Sequence, residues 1–190
     1  MDARKEQILN VAQKIFARFG IKKTTMEEIA QLARMGKSTL YYYFKSKEDI
    51  FAEVIRKESN IVRKKLEEAV NKAKTPQEKI AAYVLTRMKY FKELSNYYTS
   101  LTDDYLEHYS FVEKEREEFT RFEMVSLKKI LEEGVSLGVF QIENVGVTAR
   151  MITLAMKGME YPLIVDNSVE DMEHEIQLML NIFFKGIEKR

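Results

Sequence analysis

The chain has 190 residues with 45% apolar and 32% charged side chains, a balance that excludes a disordered polypeptide and leaves room for one substantial core or two smaller ones. It has no cysteine, which excludes disulfides, a thiolate nucleophile and cysteine-ligated zinc. The formal net charge of +1 conceals an asymmetry: residues 1–50 carry ten Lys and Arg against six Asp and Glu, whereas the remainder carries 21 against 24.

The opening stretch MDARKEQILNVAQKIF is charged and amphipathic and has no uninterrupted apolar segment of the signal-peptide kind. No apolar run approaches the roughly 20 residues of a bilayer span. The expectation is a cytoplasmic protein without a membrane partner.

Seven glycines and two prolines punctuate a chain dominated by helix formers, so the expected class is all-α, with about nine helices. The first helix is predicted over about residues 3–19, where Ile8, Ala12, Ile15, Phe16 and Phe19 share one stripe and Gly20 supplies the stop. Thr25 followed by Glu28 reads as a capping box opening a short second helix that ends near Arg34. A third, two-turn helix follows, from about Gly36 to Phe44. Ser46, with Asp49 three residues later, starts a long amphipathic helix reaching about Lys74, where Thr75 and Pro76 break it. Five further helical segments are predicted at about 76–95, 97–108, 110–136, 144–163 and 168–188.

The third helix holds three consecutive tyrosines. Residues advance about 100° along a helix, so with Leu40 and Phe44 facing inward, Tyr43 lies about 60° from Leu40, Tyr41 about 100° and Tyr42 about 200°. Ser38, Thr39, Tyr41 and Tyr42 then form an outer face flanked by Lys37, Lys45 and Lys47, and every one of these can donate a hydrogen bond. A short capped helix, a tight turn and a second short helix with such a face is the helix-turn-helix pattern. Lysines bond phosphates there, and hydroxyls reach base edges in the major groove.

The run from Ile8 to Ile50 strongly resembles the N-terminal DNA-binding domain of the TetR family of transcriptional regulators; its segment TLYYYFKSKEDI is similar to the family signature T-[LI]-Y-Y-H-F-K-[SN]-K-E-[ED]-L. The resemblance implies a homodimer that reads a palindromic double-stranded DNA operator, with a C-terminal helical domain that binds a small-molecule effector and releases DNA. By matching position it implies phosphate contacts at Thr25 and Lys47, a groove-facing set of Lys37, Ser38 and Thr39, and backbone or base contacts at Tyr41 and Tyr42. Three departures stand out. Arg34, Met35 and Gly36 replace the common Gly-Val-Ser, Ser38 stands where glycine is common, and Tyr43 stands where histidine is common. Arg34 is expected to be strained unless Gly36 takes over the positive φ of the turn.

The expected organisation is a helix-turn-helix domain over 1–46 and a ligand-binding and dimerisation domain over 47–190, in which 47–74 is the connecting helix. Methionines and aromatics at helical spacing are ordinary core, yet helix bundles also bind ligands between helices. The pocket candidates are Met88, Phe91, Tyr98, Tyr105, Phe122, Met151, Met156 and Met159, suited to a small, largely apolar effector. Stripes on the last two helices, with Met151, Leu154 and Gly158 on one and Ile176, Met179, Leu180 and Phe183 on the other, are the dimer-interface candidates that the resemblance implies.

Asp104 with His108 and Asp171 with His174 stand one helical turn apart, a spacing that could ligate a metal, but the paired Glu-x-x-His motifs of di-iron bundles are absent. No phosphate loop, nucleophile elbow or zinc motif is present. The expectation is a ligand-responsive repressor, not an enzyme, with no cofactor and no metal. The alternative is a helical bundle that binds a ligand or metal and has no DNA function.

Overall fold

A computed structural model of the chain describes residues 2–97, 110–166 and 169–189. Among the described residues the regular elements are helices: α1 (Ala3–Lys23), α2 (Met26–Leu32), α3 (Lys37–Tyr43), α4 (Lys47–Lys72), α5 (Pro76–Tyr97), α6 (over 110–115), α7 (Glu117–Ser136), α8 (Val145–Asp166) and α9 (Val169–Ile187). The all-α expectation holds. The helix predicted at 97–108 lies, beyond Tyr97, outside the described residues. A turn at Arg116 interrupts the helix predicted over 110–136. Contacts divide the chain into two compact units, Met1–Asn60 with Leu94–Glu117, and Ile61–Glu93 with Glu118–Arg190.

In the first unit, Ile8, Leu9, Ala12 and Phe16 of α1 pack with Ile29 and Ala30 of α2, Leu40 of α3, and Ile50, Phe51 and Val54 of α4. Local chemistry sets the boundaries. Asp2 caps α1 by accepting from the Arg4 amide, and Gly20 breaks the helix with φ 76° and ψ 163°, a conformation costly for any other residue. Phe19, one residue before that break, leaves the core and lies exposed beneath the Arg18 guanidinium. At α2, the Thr25 hydroxyl accepts from the Glu28 amide while the Glu28 carboxylate accepts from the Thr25 amide, so the capping box is complete. The Asp49 amide donates to Ser46 Oγ at the start of α4.

At the end of α2 Gly36 does not take over the positive φ. Arg34 itself adopts the left-handed conformation, φ 52°, and Gly36 is extended at φ −68°, ψ 148°. The Met35 amide donates to Ala30 O at 2.9 Å and the Arg34 amide to Gln31 O at 3.0 Å. These are the two bonds of a Schellman turn, with Met35 folded back against the core. The backbone bonds over-determine the turn, so it forms without glycine at a cost of roughly 1 kcal/mol at its corner. Arg34→Gly is therefore expected to raise the unfolding free energy by about 0.5–1 kcal/mol, read as an upward shift of the urea midpoint at constant m value.

In the second unit, Thr75 and Glu78 form another capping box ahead of Pro76. Helix α7 closes in a second Schellman turn, Val139 N to Gly134 O at 2.9 Å and Gly138 N to Val135 O at 3.0 Å, this time with glycine at the left-handed corner (Gly138, φ 69°). The chain beyond that turn pairs with the end of α9 through Gln141 N to Ile187 O and Lys189 N to Val139 O. That pairing forms the isolated bridge between Phe140 and Glu188.

Fully buried in the same unit lies an ionic triad. Arg87 Nε donates to Glu123 Oε1 at 2.6 Å and Nη2 to Glu160 Oε1 at 2.5 Å, with the guanidinium over the Phe91 ring at 5.0 Å. Burial opposes the charge on Arg87, but the Glu123 and Glu160 carboxylates outweigh it and hold the guanidinium pKa above its ordinary value.

Candidate nucleic-acid interface and ligand cavity

Helix α3 is anchored by Leu40, fully buried, and by Phe44 just past its end. Its opposite side carries Tyr42, 83% exposed, and Tyr41, 49% exposed. Ser38 and Lys37 are exposed and Thr39 is half-buried; of the two predicted contacts outside α3, Thr25 is exposed and Lys47 half-buried. Tyr43 is half-buried; its hydroxyl donates to Asp2 Oδ2 at 2.6 Å, tying α3 to the start of α1. That bond lowers the Asp2 pKa and raises that of Tyr43, because it favours the carboxylate and the protonated phenol together. The Tyr42 and Tyr43 rings meet edge to face, with centroids 5.2 Å apart.

The cations have local partners too. The Lys37 ammonium pairs with Glu27 of α2 and holds that carboxyl below its usual range. The Lys47 ammonium donates to Lys22 O at 3.2 Å and Thr24 O at 3.1 Å, closing carbonyls at the end of α1. This structural use of Lys47 carried no signal in the sequence, since its two acceptors lie 23 and 25 residues away. The Thr25 hydroxyl is exposed and bonded within its capping box.

In the second unit a cavity of about 610 Å³ opens between α4, α5 and α7. Phe122 lines it; of the other predicted pocket residues, Met88, Phe91, Met156 and Met159 do not. Tyr98 and Tyr105 lie outside the described residues. Met151 is 59% exposed on α8, so it cannot wall an interior pocket; the assignment is corrected because its side of α8 faces outward.

The interface candidates also shift. Val147, Met151 and Leu154 of α8 are exposed, as is Gly158, whose added Cβ would meet open space. On α9, Ile176 and Leu180 are buried in the protomer's own core, and Met179 and Phe183 are half-buried. The outward apolar residues of α9 are Leu178 and Ile182, the latter 73% exposed. Ile176 and Leu180 are therefore withdrawn from any outer surface. The pairs Asp104–His108 and Asp171–His174 gain nothing from the structure: the first lies outside the described residues, and His174 is exposed.

The sequence family described as bacterial regulatory proteins, tetR family, matches residues 8–54, and that described as QacR-like protein, C-terminal region, matches residues 57–189. The chain belongs to the TetR family. This TetR-family chain is 27% identical over 190 residues to the HTH-type transcriptional regulator QacR of Staphylococcus aureus, covering 97% of its own length and 98% of that protein's. It is 27% identical over 144 residues to the HTH-type transcriptional repressor KstR2 of Mycolicibacterium smegmatis, covering 73% and 68% of the two chains. Among solved structures, a transcriptional regulator from Cytophaga hutchinsonii superposes with a TM-score of 0.78 at 30% identity, covering 99% of this chain and 100% of that one. The fatty acid degradation regulator FadR from Bacillus halodurans shares the fold, with a TM-score of 0.78 at 19% identity over 95% of each chain. As a member of the family the protein is a transcriptional regulator with a DNA-binding helix-turn-helix, formed here by α2 and α3. Among the described residues no helix is long and apolar enough to cross a membrane.

Proposed function

We propose that the protein is a ligand-responsive repressor that binds a palindromic operator as a homodimer and is released by a small, largely apolar effector. The observation that carries the DNA reading is the outward face of α3, where two phenols stand free beside lysines in the segment matching the family's DNA-binding region. Thr25, Lys37, Ser38, Thr39, Tyr41 and Tyr42, within a reading head over 1–46, and Lys47, the first residue of a sensor and dimerisation region over 47–190, are the proposed contacts. The repressor sense is supported by the similarity to KstR2, a transcriptional repressor.

Dimerisation is supported by the exposed apolar residues of α8 and α9, since several such side chains on neighbouring turns mark an interaction surface. In the proposed mechanism an effector shifts operator affinity by its differential affinity for two conformations, only one of which spaces the two reading heads for successive major grooves.

Electrophoretic shift on the DNA flanking the protein's own coding region tests the reading, with light scattering for the dimer. Tyr42→Ala should weaken operator binding about tenfold, while leaving the melting temperature unchanged because the ring is exposed. Unaltered operator affinity in this variant would overturn the proposed docking face.

A further inference from the structure

The cavity between α4, α5 and α7 has an apolar floor that includes Leu66, Val70, Phe122 and Ile130, and a charged rim. Two of the three rim cations are already neutralised. Arg63 pairs with Glu67 at 3.3 Å and lies over the Phe122 ring at 4.5 Å, and Lys79 grips both oxygens of Glu133 at 2.6 and 2.7 Å. Lys129, on the exposed side of α7, has no ion pair or hydrogen bond among the described residues, leaving the lining one positive charge in excess. Tyr83 also lines the cavity, and it is 1% exposed with a hydroxyl that has no hydrogen-bond partner. The hydroxyl oxygen is closed off from the cavity, and burial and the Glu123 carboxylate push its pKa up. The net-negative triad of Arg87, Glu123 and Glu160 does not line the cavity.

A free ammonium beside an apolar lining defines a ligand chemistry. We propose that this cavity takes an apolar carboxylic acid, its carboxylate paired with Lys129 and its chain laid against Leu66, Val70, Phe122 and Ile130. The cavity volume lies within the range of small-molecule sites. This inference rests on the reading of the second unit as the effector-binding part and narrows the effector to an anion.

Calorimetry on the full-length protein below micellar concentrations separates the possibilities with three probes: decanoate, decanol and decyltrimethylammonium. Decanoate should bind at one per chain, at least tenfold tighter than the cation or the alcohol. Lys129→Met, which keeps the stem and removes the charge, should weaken decanoate about tenfold and leave decanol unchanged. A preference for the cation, an unaltered decanoate affinity in Lys129→Met, or no binding by any of the three probes would overturn the proposal.

Gel shift on the operator keeps the two readings apart. Decanoate that binds as described but leaves the DNA complex intact would remove the effector role and keep the site. DNA release by another compound, unaffected by Lys129→Met, would keep the regulator and remove this site.

Discussion

Arg87→Met should lower the unfolding free energy by about 3–5 kcal/mol, because it leaves Glu123 and Glu160 buried without the guanidinium that pairs with both. That is a large share of the roughly 5–15 kcal/mol that holds a typical domain together, so the variant should melt far earlier or accumulate unfolded. The triad need not itself stabilise the fold. Taking three charges out of water is expensive, and their mutual attraction roughly offsets that expense. The discriminating experiment is the triple variant Arg87→Met, Glu123→Leu, Glu160→Met. If the single variant fails because charge is stranded, the triple variant should recover most of the loss in chemical denaturation. A triple variant no more stable than Arg87→Met would show that packing around the guanidinium, not its charge, is what matters.

Gly134→Ala should cost about 2 kcal/mol, although alanine is the better helix former by about 1 kcal/mol. The reason is space. A Cβ at position 134 would fall 2.0 Å from Phe140 Cδ2 and 2.9 Å from its Cγ, so the whole ring, and not just its tip, must move. The ring is poorly placed to yield: it is buried, stacks on Phe184 with centroids 6.4 Å apart, and its backbone is paired to the end of α9. Thermal melts of Gly134→Ala and of the double variant Gly134→Ala, Phe140→Leu check this, since the smaller side chain should return part of the loss. If Gly134→Ala alone is as stable as the parent, the ring has room that the geometry denies it.

The legibility of these features in the sequence differs for physical reasons. Thr25 with Glu28, Ser46 with Asp49, Gly20 and Pro76 act through neighbours three or four residues away, so their roles at helix ends can be read from spacing alone. The outward direction of Tyr42 follows from the helical angle to Leu40 in the same way.

The triad does not, because its members are separated by 36 and 73 residues. A hint existed: Ile80, Tyr83, Val84, Arg87 and Met88 share one stripe of α5, which places Arg87 among core residues and demands partners for it. On α9 the difficulty was the reverse. Leu178, Met179, Leu180, Ile182, Phe183 and Phe184 are apolar on more than one side, so periodicity could not say which side turns inward. Tyr83 reads in sequence as one of many large side chains of the C-terminal helices, because a buried phenol without a partner looks there like any other core aromatic.

The molecule closes α2 and α7 with the same six-residue turn, once around Arg34 and once around Gly138. Because backbone bonds alone close that loop, the corner residue is free to be selected for something outside it. In the copy that ends α7 the corner carries only a hydrogen atom; in the helix-turn-helix copy it carries a long cationic side chain at the expense of local comfort. The helix-turn-helix unit thus holds a latent margin of stability that a single substitution at this corner would release.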